Sequence, residues 1–210
     1  MCPRSYDMRR RSKETTETRL KIVRAAIEQV QRTVRGEPFT LEAVAHRAGV
    51  APMTVYNQFG SKRGLVGAVL DSVADAEFQR GLDRAFSRED PTAGMEAFVR
   101  TMIPFYQRYR VLFRTGRAIA RLDPGLFRAI RVREQRRRGG LKTLLRRRAA
   151  RFDAAQEKRL LDVLEALTGF DFFDALAPVR GSSEVTERAV VAQVEAAIAQ
   201  ATMAHRRPVR

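Results

Sequence analysis

Twenty-four residues, Phe39 to Lys62 (FTLEAVAHRAGVAPMTVYNQFGSK), constrain this chain more than any other stretch. They spell a short helix, a tight turn, a second short helix and the cap of a third. Thr40 is a good N-cap for a helix opening at Leu41, and Glu42 falls in the first turn, where its charge suits the helix dipole. Leu41, Val44, Ala45 and Ala48 recur at helical spacing on one face. Gly49 follows at once, in the place where a helix usually ends in the left-handed conformation. Val50 plugs the turn, and Pro52 stands at a first helical position, where its missing N–H costs nothing. Val55 and Phe59 give the second helix a buried side. Its other side carries Met53, Thr54, Tyr56, Asn57 and Gln58, types that contact bases and phosphates. Gly60-Ser61 breaks this helix, with Ser61 capping another that begins Lys62-Arg63.

Two helices joined by a short turn containing Gly are the helix-turn-helix layout, whose second helix presents its outer face to a major groove. An ordinary αα-corner in a helical protein would share the spacing. The residues go further. Thr40, Val44, Ala45, Ala48, Gly49, Val50, Thr54, Val55, Tyr56, Phe59, Ser61 and Lys62 form a run that resembles the N-terminal domain of the tetracycline-repressor (TetR) family, with the likeness dense from about residue 19 to residue 70.

That resemblance implies an all-α protein: an N-terminal three-helix helix-turn-helix DNA-binding domain, then a larger C-terminal helical ligand-binding and dimerisation domain. The expected divisions are a basic flexible arm at 1–14, the DNA-binding domain at 15–64 and the C-terminal domain at 65–210. Thr54, Tyr56 and Asn57 match the family's recognition helix, Lys62 its phosphate-contacting lysine and Thr40 its helix-cap contact. Gln58 and Met53 adjoin them as further DNA candidates. One departure is Ala51, where many relatives carry a capping Ser or Thr; such a loss typically costs about 1 kcal/mol.

A chain of 210 residues with 44% hydrophobic content can bury a sizeable core. It has no apolar run of 18 residues, so no membrane partner is expected. The basic N-terminus lacks the apolar segment of a secretory signal. A single cysteine, Cys2, makes no internal disulfide and fits a reducing cytoplasm. With only His46 and His205 besides, no metal site and no cofactor are expected. Nor is there a Gly-rich phosphate loop or nucleophile elbow, so the sequence does not point to an enzyme.

The formal charge of +16 favours an acidic partner, with nucleic acid first. Its distribution is uneven. Residues 1–70 carry +7, 71–99 carry −4, 100–151 carry +15 and 152–210 carry −2. Most of the excess therefore lies outside the reading head.

Along the chain, Arg4, Arg9, Arg10, Arg11 and Lys13 precede any apolar period, as either an arm that follows DNA or a charge-biased tail. Leu20, Val23, Ile27, Val30 and Val34 then mark an amphipathic helix from Thr18, with Arg19 or Lys21 placed to meet a phosphate. After Ser61 one long helix is expected to run to about Phe86, linking the two domains. Pro91 suits the start of the next, and Pro104 should kink or end it. Met102, Phe105, Tyr106, Tyr109 and Phe113, with Phe127, Phe170 and Phe173, are the candidate ligand-pocket residues; core packing is the plain alternative. Residues 127–152 contain ten arginines around Gly139-Gly140, which should bend their helix. This run reads as a solvated face, as a grip on an anionic ligand, or as long-range attraction to DNA. Helices from Ala155 to about Leu176 and from Glu184 to about His205, the latter capped by Ser183, resemble the family's dimer interface; packing within one chain is the alternative.

The expected function is a homodimeric repressor in the cytoplasm that binds a double-stranded DNA operator and is released by a small-molecule effector, anionic or hydrophobic. The alternative is an architectural, nucleoid-type DNA binder without sequence preference.

Overall fold

In the computed structural model, residues 8–33, 36–147, 152–177 and 183–206 are described. Among them are eleven α-helices and no strand. The chain divides into two compact units, one of residues 1–73 with 114–129, the other of residues 74–113 with 130–210.

In the first unit, helix α1 (Met8–Thr33) starts ten residues before the expected Thr18. Those residues have no apolar period, but Met, Arg, Lys and Glu are strong helix formers, and a helix once nucleated extends cheaply. The part of the expected arm at residues 1–7 lies outside the described residues, as does Val34. The buried stripe is centred on Ile22, Ala26 and Gln29 rather than on Leu20, which is 51% exposed. Helices α2 (Leu41–Ala48), α3 (Pro52–Phe59) and α4 (Lys62–Val73) follow. Ile22, Ala26, Val44, Ala45, Val55 and Leu65 are fully buried and form the centre of this unit. Gln29, also buried, donates to the Pro38 carbonyl at 3.1 Å and accepts from Arg47 at 3.0 Å, tying α1 to the segment before α2 and to the last turn of α2.

The expected long helix after Ser61 is broken. Helix α5 (Ala76–Ser87) begins anew because Asp75 turns its carboxylate onto the Phe78 N–H at 2.9 Å, the capping role short polar side chains prefer over a helix interior.

The second unit is built on helix α6 (Pro91–Arg108), which Asp90 caps. It continues four residues past Pro104, whose ring faces outward, because burial of Ile103 and Tyr106 on the other side outweighs one lost hydrogen bond. Helix α7 (Arg110–Ala120) comes next, and helix α8 (Pro124–Arg146) runs unbroken through Gly139-Gly140. Gly140 is needed for fit. A Cβ there would stand 3.0 Å from the Phe86 ring, so glycine permits close approach at that point. The expected Ala155–Leu176 helix is two, α9 (Ala154–Leu167) and α10 (Phe170–Leu176), separated at Thr168-Gly169. Helix α11 (Ser183–Arg206) has Ser183 as its first residue. The core joins Met95, Phe98 and Ile103 of α6, Leu141 and Leu144 of α8, Leu160 and Leu164 of α9, Phe173 of α10 and Val190 and Val194 of α11.

Candidate nucleic-acid interface

The reading head is assembled by four caps. The Thr40 hydroxyl accepts from the Ala43 N–H at 3.0 Å and opens α2. Gly49 closes it at φ 61°, with its N–H on the His46 carbonyl and the Val50 N–H on that of Ala45. This left-handed turn, available to glycine without steric cost, sets α3 across α2. Gly60 (φ 69°) ends α3 in the same way, and the Ser61 hydroxyl accepts from the Gly64 N–H at 3.1 Å to cap α4. In contrast, Ala51, heading α3, makes no side-chain cap bond.

Helix α3 then has two sides. Val55 is completely buried, whereas Met53 and Tyr56 are 67% and 54% exposed and Asn57 is exposed with them. Spacing of three and four residues places these last three on one face. Thr54 and Gln58 flank it half-buried, and Thr40 and Lys62, also half-buried, lie at the starts of α2 and α4. Helix α3 contains no charged residue. Cations stand around it instead. The Lys62 ammonium lies 5.6 Å from the centre of the Phe39 ring. Arg19 donates to the Gln58 carbonyl at 2.8 Å and covers the Phe59 ring at 4.4 Å. Arg19, expected near a phosphate, therefore clamps the C-terminal end of α3 to α1.

Exposed Tyr56 and Asn57 beside Met53 on a short helix, held by backbone caps above a packed core, make a platform of two hydrogen-bonding groups and one apolar side chain. Such a platform can enter a groove about 12 Å wide and meet base edges while neighbouring cations meet phosphates.

In the second unit the candidate pocket residues largely converge. Met102, Tyr106, Phe170 and Phe173 are buried, and Phe105, Tyr109 and Phe113 are half-buried. Tyr106 has Phe113, Phe170 and Phe173 within 5.1–5.7 Å between ring centres, and Phe113 stacks on Phe170 at 5.0 Å. Its hydroxyl points at the Thr168 carbonyl, 3.4 Å away. Phe78 joins the cluster 4.2 Å from Phe105. Phe127 does not join. It belongs to the first unit and is 53% exposed, because Leu126 beside it takes the buried position.

Many arginines of the basic central region are engaged with protein acceptors. Arg110 donates to the Asp174 carboxylate at 2.5 Å and to the Asp174 and Ala177 carbonyls at 3.0 and 2.9 Å. Arg137 reaches the Glu165 carbonyl at 2.8 Å and the Thr168 hydroxyl at 2.6 Å. Arg138 pairs with Glu165 and Asp162, and Arg146 with Glu157. Arg100 pairs with Glu187. Arg110, Arg137 and Arg138 thereby fasten α7 and α8 to α9 and α10, whereas Arg100 and Arg146, 48% and 60% exposed, form their pairs at the solvated surface.

Residues 37–69 match the family model for bacterial regulatory proteins of the tetR family. Solved structures share the fold across nearly the whole chain. A transcriptional regulator from Rhodococcus sp. RHA1 is 19% identical, with 87% of this chain and 96% of that one aligned at a TM-score of 0.69. The TetR-family regulator PfmR from Thermus thermophilus is 18% identical over 85% and 97% of the two chains, at 0.56. The TetR-like regulator LfrR from Mycobacterium smegmatis, solved with proflavine, is 18% identical over 89% and 97%, at 0.52. No curated protein has a significantly similar sequence. Among the described residues no helix is long and apolar enough to cross a membrane, and no group of three metal-ligating side chains is found.

Proposed function

We propose that this TetR-family transcriptional regulator is a homodimeric repressor that binds an operator through α3 and leaves it when a small molecule occupies the second unit. The exposed Met53–Tyr56–Asn57 face of α3 carries this reading. Thr54, Tyr56 and Asn57 meet base edges and adjoining phosphates, with Gln58 and Met53 beside them. Lys62 and Thr40 hold the backbone. Dimerisation runs through α9 to α11, where Val163, Leu176, Val185 and Met203 are apolar yet 42–66% exposed. A second copy would cover them and bring a second head to the DNA, as half-sites one helical turn apart require.

The aromatic cluster around Tyr106 is the effector site of this reading, in a fold where the LfrR structure holds proflavine. Because Arg110 and Arg137 already have protein acceptors, a hydrophobic effector suits it better than an anionic one. Its action is linkage. A ligand that prefers the conformation with badly spaced heads weakens operator binding by its differential affinity for the two states, and by no more.

The test is a fluorescence titration of the whole protein against DNA from upstream of its own gene and against random duplex, at about 150 mM salt, where non-specific binding is typically no tighter than about 10⁻⁶ M. Nanomolar binding to the upstream DNA alone supports a specific regulator. Equal, weak binding to both, unchanged over a wider set of genomic fragments, supports an architectural DNA binder instead.

A further inference from the structure

We infer that the corner between α7 and α8 is a second phosphate-holding surface of the DNA-binding unit, with Arg121 and Arg128 gripping backbone beside the site that α3 reads. This rests on the DNA-binding reading above. Residues 114–129 group with residues 1–73 in one compact unit. They add four arginines and one aspartate, so that the unit holds 17 Lys/Arg against 8 Asp/Glu, a formal +9.

The corner is firmly built. Ala120 and Leu126 are buried as its anchors, and Asp123 spends one carboxylate oxygen on the Gly125 and Leu126 N–H groups, both at 2.9 Å. Gly125 lies directly against Arg63. A Cβ at that position would stand 2.9 Å from the Cδ of Arg63, an exposed and flexible side chain, so the two are in contact. Arg63 is the second residue of α4 and adjoins Lys62, the proposed phosphate contact. The corner is thereby set beside the start of α4, where backbone N–H groups and two cations already favour an anion. Arg121 and Arg128 are both exposed there. Leu122 and Phe127 are exposed as well, at 90% and 53%, which would equally serve a protein partner. Four positive charges to one negative, next to Lys62-Arg63, favour the polyanion.

The test is the salt dependence of binding, measured with wild type, R121A, R128A, R121A/R128A and R121K/R128K on upstream and random duplexes. Each phosphate contact contributes about 0.9 to the slope of log K against log salt. Each single Ala variant should therefore flatten the slope by about 0.9 per bound protomer, and the double variant by about twice that, on both DNAs. The Lys pair should keep the wild-type slope. R84A/R88A, which removes two exposed arginines from the other unit, should keep it too. A wild-type slope and affinity in R121A/R128A would overturn the inference and leave the corner to a protein partner. A wild type that binds no duplex would instead overturn the regulator reading itself.

Discussion

At the scale of single residues, Gly64 marks where α4 leaves α3. A Cβ there would lie 2.0 Å from the Phe59 carbonyl oxygen, a clash with backbone that no rotamer relieves. Gly64→Ala should therefore shift the start of α4 and cost roughly 2–3 kcal/mol, seen as a lower urea midpoint. An unchanged midpoint would mean the two helices are not packed this closely. Ala51 presents the opposite case. Its backbone, φ −68° and ψ 147°, already has N-cap geometry without a side chain to use it. Ala51→Ser should raise stability by about 1 kcal/mol, and a neutral or negative effect in the same urea experiment would contradict this cap assignment. Thr40, Gly49 and Ser61 announce themselves in the sequence because caps and left-handed turns depend on one residue and its neighbours. Gly64 does not, since its neighbour in space is a carbonyl whose position depends on how α3 ends. For the same reason the bond from Arg19 to the Gln58 carbonyl is visible only once α3 is seen to end beside it.

Among elements, periodicity located most helices and missed what interrupts them. The stripe Leu65, Val69, Val73, Ala76 continues across the α4–α5 break, so only the cap made by Asp75 reveals it. Thr168-Gly169 divides α9 from α10 in the same manner. Which arginine meets which acid was also illegible, because partners such as Arg138 and Glu165 lie 27 residues apart and meet only after α8 and α9 pack. Those pairs have a consequence in acid. Hydrogen bonding from Arg146, with Lys142 nearby, holds the Glu157 carboxyl below its usual range, and hydrogen bonding from Arg138 does the same for Asp162. A carboxylate whose folded value is depressed stabilises the fold fully above its unfolded value, about 4.3 for Glu, and loses that contribution as pH falls through the folded value. Glu157→Gln should accordingly melt lower than wild type at neutral pH and show a shallower fall in Tm below about pH 4.3. Parallel acid limbs for the two proteins would show that the Arg146 pair contributes nothing.

For the whole molecule, charge is divided by function. The central basic region, 100–151, holds +15, of which +3 lies in residues 114–129 of the first unit and much of the rest joins helices of the second, while the first unit as a whole has a formal +9 and its helix α3 carries no charge at all. The proposal that follows is that affinity and selectivity reside in different residues. It is tested most directly by titrating Asn57→Ala and Lys62→Ala against an operator fragment and a random duplex across a range of salt. Asn57→Ala should weaken operator binding by about 1–3 kcal/mol and leave random-duplex binding and the salt slope unchanged. Lys62→Ala should weaken both alike and flatten the slope by about 0.9 per protomer. Equal losses from both variants on both DNAs would contradict the division between an α3 that reads and a cationic surround that holds.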